Sequence, residues 1–320
     1  MSAAAVLVDR LHNRLAALRA KLARRLRIAL AHIARTIRAG LVRAGIPLQR
    51  EYLILRCAEG EDASGLFSEL AAALGFLEHY LKWRPLYSGL QIDFADKGLY
   101  FEPSAGPNWW QYYFEPIGIG SQADANPRSI DLFQHDVFAE RVEQTMPRAT
   151  GAAIVARYFH LRPVIRRAVD EYISSRFGTA FVIGIHYRGT DKIDEAPRVP
   201  YETVLAAVEN ALGAAAHQRC KLFLATDEQA FLECMHARYP DQLLFREMYR
   251  SVDGIPIHRR QTDNLRMGED AVIDCLLLSR CHRLIRTASD LGLFATLFNP
   301  ALPEILLSRP RWRGTETERQ

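Results

Sequence analysis

Three turns in the second half of the chain gather residue types that can hold and transfer a charged group. The first reads His186-Tyr187-Arg188-Gly189-Thr190-Asp191-Lys192, placing an imidazole, a fixed cation, a flexible glycine, a hydroxyl, a carboxylate and an ammonium within seven residues. Arg188 offers a planar fork matched to phosphate oxygens, and Lys192 a point charge. The second turn is Thr226-Asp227. The third, Thr287-Ala288-Ser289-Asp290, directly precedes a helical stretch whose first amides can accept an anion. A cationic loop, His258-Arg259-Arg260-Gln261-Thr262-Asp263-Asn264, adds a fourth group. Together these suggest a nucleoside diphosphate site. The chain has no Walker lysine loop, no G-x-G-x-x-G fingerprint and no Asp-x-Asp pair, so Arg and Lys are expected to meet the phosphate charge without a metal. The same residues also have plain structural readings. Asp227 and Ser289 stand where helix N-caps belong, Asp274 fits a locally satisfied buried polar group, and Arg188 with Lys192 fits a surface pair with Asp191 and Glu195. Convergence of three strand ends and one loop on one sheet edge favours the functional reading.

The elements that must position these turns read as alternating strands and helices. Strands are expected at 52–57, 180–186, 221–225, 243–245 and 283–286. Helices are expected at 66–81, 131–143, 150–175 (split at Pro163), 201–216, 228–239, 268–280 and 291–299. Residues 85–130 show no clean period and read as loop with short strands. Repeated β-α units imply a parallel sheet with right-handed crossovers. Ligands then bind beyond the carboxyl ends of the strands, where the three turns fall.

The 320 residues suggest about two domains. Net charge is +4, yet the first 50 residues carry eleven Lys/Arg against the single acid Asp9, a net of +10. The remaining 270 residues are mildly acidic at −6, so the basic isoelectric point gives no support to nucleic-acid binding. In the basic segment, Leu11, Leu15, Leu18, Leu22, Leu26, Leu30, Ile33, Ile37 and Leu41 are spaced by threes and fours, one apolar stripe on a helix. An anionic membrane, a second copy of the helix, the body of the protein, or an organelle-targeting role could each account for it. No stretch reaches the ~18 apolar residues of a membrane span. The five cysteines show no C-x-x-C spacing and read as reduced thiols of a cytoplasmic protein, peripheral at a membrane if the arm binds one.

His186-Tyr187-Arg188-Gly189-Thr190-Asp191-Lys192 closely resembles the H-x-R-x-T-D-K signature of the core α1,6-fucosyltransferases, whose superfamily includes the bacterial nodulation-factor fucosyltransferases. Leu224-Ala225-Thr226-Asp227 resembles the second donor-domain motif, and His258-x-Arg260-x-Thr262-x-Asn264 the third. Asp274 through Leu278-Ser279 to Thr287-x-Ser289 resembles the fourth. These motifs lie in order over about residues 180–298. Gly98-Leu99-Tyr100 and Phe114-Glu115-Pro116 are similar to the nodulation-factor enzymes, and residues 1–45 lie outside the resemblance.

The resemblance implies an α/β, GT-B-like glycosyltransferase with two Rossmann-like lobes and a cleft between them. It would use GDP-fucose as donor, invert the sugar carbon, need no metal or other cofactor, and act on a glycan. The expected parts are a basic amphipathic arm at 1–45, an acceptor-side lobe at 46–175, a nucleotide-sugar lobe at 176–308 and a disordered tail at 309–320. The arm is expected to serve peripheral membrane contact or homodimerisation. By analogy Arg188 grips the β-phosphate, His186 and Asp274 contact the guanine-ribose end, and Ser289 assists the diphosphate. Gly189, Thr190, Asp227, His258, Arg260, Thr287 and Asp290 complete the donor site. Asp191, Lys192 and a nearby acid line the reacting centre, with Glu195 as first candidate for the base and Asp191 as second. Gly65, Trp109, Tyr112 and Glu115 are expected on the acceptor side. Three positions depart from the animal enzymes: Ala196 stands for a glutamate, Gly189 for a second arginine, and Asp290-Leu291 for Ser-Gln. Transfer of another nucleotide-linked sugar, or a non-catalytic membrane-associated scaffold, are the competing expectations.

Overall fold

A computed structural model of the chain describes residues 3–57, 65–95, 98–122, 126–132, 142–189, 196–252 and 263–309. Its backbone groups into two compact units. One comprises Met1–Ile54, His79–Leu90 and Ile119–Arg128; the other comprises Leu55–Glu78, Gln91–Gly118 and Ser129–Gln320.

The leucine-striped arm forms one long helix, α1 (Ala3–Arg43), ended by Gly45 with its φ of 83°. After it come β1 (Glu51–Arg56), α2 (Leu66–Lys82), β2 (Tyr87–Ile92), the single turn α3 (Trp110–Tyr113), β3 (Gly118–Gly120) and β4 (Asn126–Asp131). The four strands form one sheet in the order β3-β2-β1-β4. Aromatic residues between β2 and β3, expected as irregular chain, form a packed cluster: Trp109 sits 4.7 Å from Phe94 and 5.5 Å from Tyr100, centroid to centroid.

The chain continues through α4 (Val142–Thr145), α5 (Arg148–Tyr158) and α6 (Pro163–Tyr172), which runs on as a wider turn over Ile173–Phe177. The expected break at Pro163 is present because its fixed φ suits the first turn of a helix. The helix expected over 131–143 lies largely outside the described residues. From here β and α alternate: β5 (Phe181–Tyr187), α7 (Tyr201–Ala214), β6 (Cys220–Thr226), α8 (Gln229–Arg238), β7 (Leu243–Leu244), α9 (Asn264–Ser279), β8 (Arg283–Arg286), α10 (Asp290–Phe298) and β9 (Glu304–Leu306). They build a five-stranded sheet of order β7-β6-β5-β8-β9, parallel in every pairing. Two details differ from the expected elements. α9 starts four residues early because the Asp263 carboxylate caps it, accepting the Arg266 amide at 3.0 Å. The short edge strand β9 carries no alternating pattern and was not expected.

β5 is central, and its alternation sorts the side chains. Ile183, Ile185 and Tyr187 join Val204, Val208, Leu222, Leu224, Phe231 and Met235 in one apolar core. The opposite face has little room: a Cβ on Gly184 would lie 2.9 Å from Cys281 Sγ and 3.1 Å from Leu278 Cδ2. His186 points to this second face, toward the start of α10. Cys57, Cys275 and Cys281 are buried, and all five cysteines are free thiols.

Candidate functional site

Parallel pairing puts the carboxyl ends of β5, β6 and β8 side by side, so the three turns meet at one edge. They are tied together by hydrogen bonds. The Thr287 amide donates to His186 O at 3.0 Å, and the Arg188 amide donates to Thr287 Oγ1 at 3.0 Å. The Gly189 amide donates to Asp227 Oδ1 at 3.3 Å, and Asp227 Oδ2 lies 3.9 Å from Arg188 Nε. The Arg188 guanidinium therefore stands at the tip of the central strand beside the carboxylate of the neighbouring one.

His186 is buried, with Nδ1 3.1 Å from Ala225 O and Nε2 2.6 Å from Ser289 Oγ. A carbonyl oxygen only accepts, so Nδ1 carries the proton. In the neutral ring Nε2 then accepts from the Ser289 hydroxyl, whose oxygen in turn accepts the Gly292 amide at 3.0 Å. Ser289 thus caps α10 and is held by the histidine at the same time. Gly292 is required by this packing: a Cβ there would be 2.9 Å from Arg286 Cδ and 3.1 Å from His186 Cδ2. The turn is fastened from below as well, by the Ala288 amide donating to Ser308 Oγ at 3.0 Å.

Asp290 occupies the first turn of α10, where a carboxylate is favoured by the helix dipole, and its Oδ2 accepts the Ser68 hydroxyl at 2.9 Å. This bond brings the first turn of α2, and with it Gly65, toward the same edge, since Gly65 O accepts the Ser68 amide.

Several contributors are not among the residues expected from the sequence. Arg286, buried at the end of β8, is held by Glu143 at 2.7 Å and Glu304 at 2.6 Å, partners far away in sequence. Glu228, the residue after Asp227, pairs with Arg198 at 2.7 Å, and its second oxygen is buried. A Cβ at Gly189 would meet that oxygen and would lie 2.8 Å from Tyr187 Cε1, so a larger residue there must displace Glu228 and press on the Tyr187 ring. Glu228 was open to detection as the second residue past a strand end; Ser68, 222 residues from its partner, was not.

The structure thus brings His186, Arg188, Gly189, Asp227, Thr287, Ser289 and Asp290 together. Thr190, Asp191, Lys192, Glu195, His258 and Arg260 lie outside the described residues. Asp274 sits on α9 in an ion cluster: Arg246 reaches Asp274 Oδ1 at 3.3 Å and Asp270 Oδ1 at 2.7 Å. Burial pushes the Asp274 carboxyl up to about 6, against the opposing pull of Arg246. Trp109 is 1% exposed and belongs to the aromatic core. The half-buried Tyr112 directs its hydroxyl to Glu102 O and Gly106 O at 2.8 and 2.6 Å, and the Glu115 amide donates to His160 O at 2.7 Å. Among the described residues no group of three or more His, Cys, Asp or Glu side chains is placed to hold a metal ion.

A family model described as "Nodulation protein Z (NodZ)" matches residues 151–313. The chain is 28% identical over 160 residues to Nodulation protein Z of Sinorhizobium fredii (strain NBRC 101917 / NGR234), covering 47% of this chain and 49% of that protein. It therefore spans about half the length of this curated relative. A crystal structure of NodZ α-1,6-fucosyltransferase soaked with GDP-fucose superimposes with a TM-score of 0.55 at 18% identity, over 79% of this chain and 94% of that one. The fucosyltransferase NodZ from Bradyrhizobium gives a TM-score of 0.51 at 18% identity, over 79% and 95%. These structures share the mixed α/β fold with the chain.

Proposed function

The chain belongs to the nodulation protein Z family, and on that premise we propose that it is a glycosyltransferase taking fucose from GDP-fucose to a hydroxyl of a glycan acceptor. The observation that carries this reading is the Arg188 guanidinium at the tip of β5, 3.9 Å from Asp227, on a strand end whose amide is bonded to Thr287 in the turn that leads into the capped helix α10. A relative solved after soaking with GDP-fucose supports the choice of donor.

On this reading the enzyme has the two-lobed GT-B arrangement, with the donor at the β5, β6 and β8 edge. Arg188 holds the diphosphate and neutralises the charge that develops as GDP leaves, the moment at which a fixed cation gains most. The α10 amides and Ser289 take further phosphate oxygens. His186 positions Ser289. The acceptor oxygen attacks the anomeric carbon from the side opposite GDP, the carbon–phosphate-oxygen bond breaks, and the hydroxyl proton passes to a carboxylate, Glu195 first and Asp191 second. The sugar carbon is inverted. Lys192, Thr190, His258 and Arg260 complete the donor side, and Gly65, Tyr112 and Glu115 serve the acceptor. Phosphate charge is met by Arg188 and the helix terminus, and turnover is expected to survive EDTA.

R188A is expected to lose transfer by about 100-fold or more while its urea midpoint stays near that of the parent. Turnover within a few fold of the parent would remove Arg188 from this role. Calorimetric titration with GDP, UDP, ADP and CMP tests the nucleotide, and preference for UDP would overturn the donor assignment. A second reading, another sugar on the same nucleotide, is favoured by Gly189 and Asp290, which stand where the animal enzymes carry arginine and serine. Comparing GDP-fucose with GDP-mannose as donor decides between the two.

A further inference from the structure

We propose that the leucine face of α1 is a docking surface for a lipid bilayer carrying anionic headgroups. α1 is amphipathic, yet it packs on the first unit with the wrong side for an ordinary core helix. Ala39 is buried, and Ala31, Arg35 and Val42, spaced with it by threes and fours, are half-buried. This small-residue face is covered where the helix lies along Trp83 to Leu86, with the His32 ring edge-on to Trp83 at 5.1 Å. The large apolar side chains lie on the opposite side. Leu15, Leu18, Leu22, Leu26, Leu30, Ile33, Ile37 and Leu41 form one row, 37–61% exposed. The rest of the first unit is thus docked on α1 through its small-residue face, and the leucines lie outside that contact.

Charge chooses between the remaining occupants. At 3.6 residues per turn, exposed Arg14 and Arg43 follow one edge of the leucine row, and exposed Arg27 and Arg38 follow the other. Arg19 lies within it. From Arg10 to Arg50 the chain contains no Asp or Glu. A second copy laid on this face would bring arginine edge against arginine edge with no acid to compensate. An anionic headgroup layer supplies the missing counter-charge along both edges while the leucines enter the acyl boundary. No helix among the described residues is long and apolar enough to cross a membrane, so α1 would lie in the surface plane.

Full-length protein is expected to float with vesicles of phosphatidylglycerol mixed with phosphatidylcholine, to stay behind with pure phosphatidylcholine, and to be released by salt. L22D/L30D should abolish flotation. Each basic residue near an anionic surface contributes about fivefold to binding, so R27E/R38E should weaken it by about 25-fold or more. All four positions are exposed, and circular dichroism with thermal melting of both variants verifies the fold. Absence of flotation on the anionic vesicles at low salt would overturn the proposal. So would a dimer mass by light scattering that L22D/L30D converts to monomer without any vesicle binding.

Discussion

At the scale of single residues, the site edge is built from side chains that answer each other's needs. Glu228 and Gly189 are one such pair: the buried carboxylate oxygen occupies the volume a Cβ would need. G189A is expected to destabilise by about 1–3 kcal/mol, the usual cost of overpacking. E228A should relieve the part of that loss that comes from the carboxylate and leave the part from Tyr187 Cε1, so the two changes will be non-additive in urea unfolding. Additive effects would mean that Glu228 does not set the glycine requirement. Ser289 is the second case. S289A removes a cap worth about 1 kcal/mol and leaves His186 Nε2 without its hydroxyl donor. It should weaken GDP binding more than it lowers the melting temperature, which calorimetry and thermal unfolding read separately. Arg188, His186 and Ser289 could be singled out from sequence because they fall at or within three residues of the ends of apolar strands. Their partners could not: Ser68 and Ser308 are ordinary serines until the fold delivers them.

At the scale of elements, α9 carries the part of the design that sequence placed but did not explain. Asp274 interrupts an apolar helix face, which flags a buried acid; that Arg246 would fork between Asp270 and Asp274, 24 and 28 residues further on, has no local signal. R246A leaves two buried carboxylates without this guanidinium and should cost about 3–5 kcal/mol. The pH dependence has a definite sign. Burial holds the Asp274 carboxyl at about 6, above the ordinary 3.8, so the native state binds this proton more tightly than the unfolded chain. Stability from this group is complete below about 3.8 and is lost as pH rises through about 6. Urea midpoints measured across that interval should fall with rising pH in the parent and fall less in D274N. An equal slope in both would assign the effect to another group. Strand β9 and the early start of α9 were hidden for a similar reason. An edge strand of three residues has no periodicity to read, and a cap is decided by one side-chain bond.

At the scale of the whole molecule, the charge divides between a strongly basic arm and a mildly acidic remainder, a separation visible in composition alone. Which face of the arm is covered was not visible, since Ala31, Ala39 and Val42 give no stronger signal than the leucines across from them. If the donor is GDP-linked, GDP at a hundredfold excess over its Kd should raise stability by about 2.7 kcal/mol, and R188A should forfeit most of that gain; a full gain in the variant would place the nucleotide elsewhere. The anchoring of the Thr287–Asp290 turn has a consequence in time. Arg286, buried just before it, is clamped by Glu304, and its Ala288 amide is held by Ser308, both supplied by residues translated after the turn itself. A nascent chain halted before residue 304 would carry every motif and still lack both of these anchors. The turn is thus fastened only late in synthesis, and on the proposed function a product ended before residue 304 is expected to show no transfer in an activity assay.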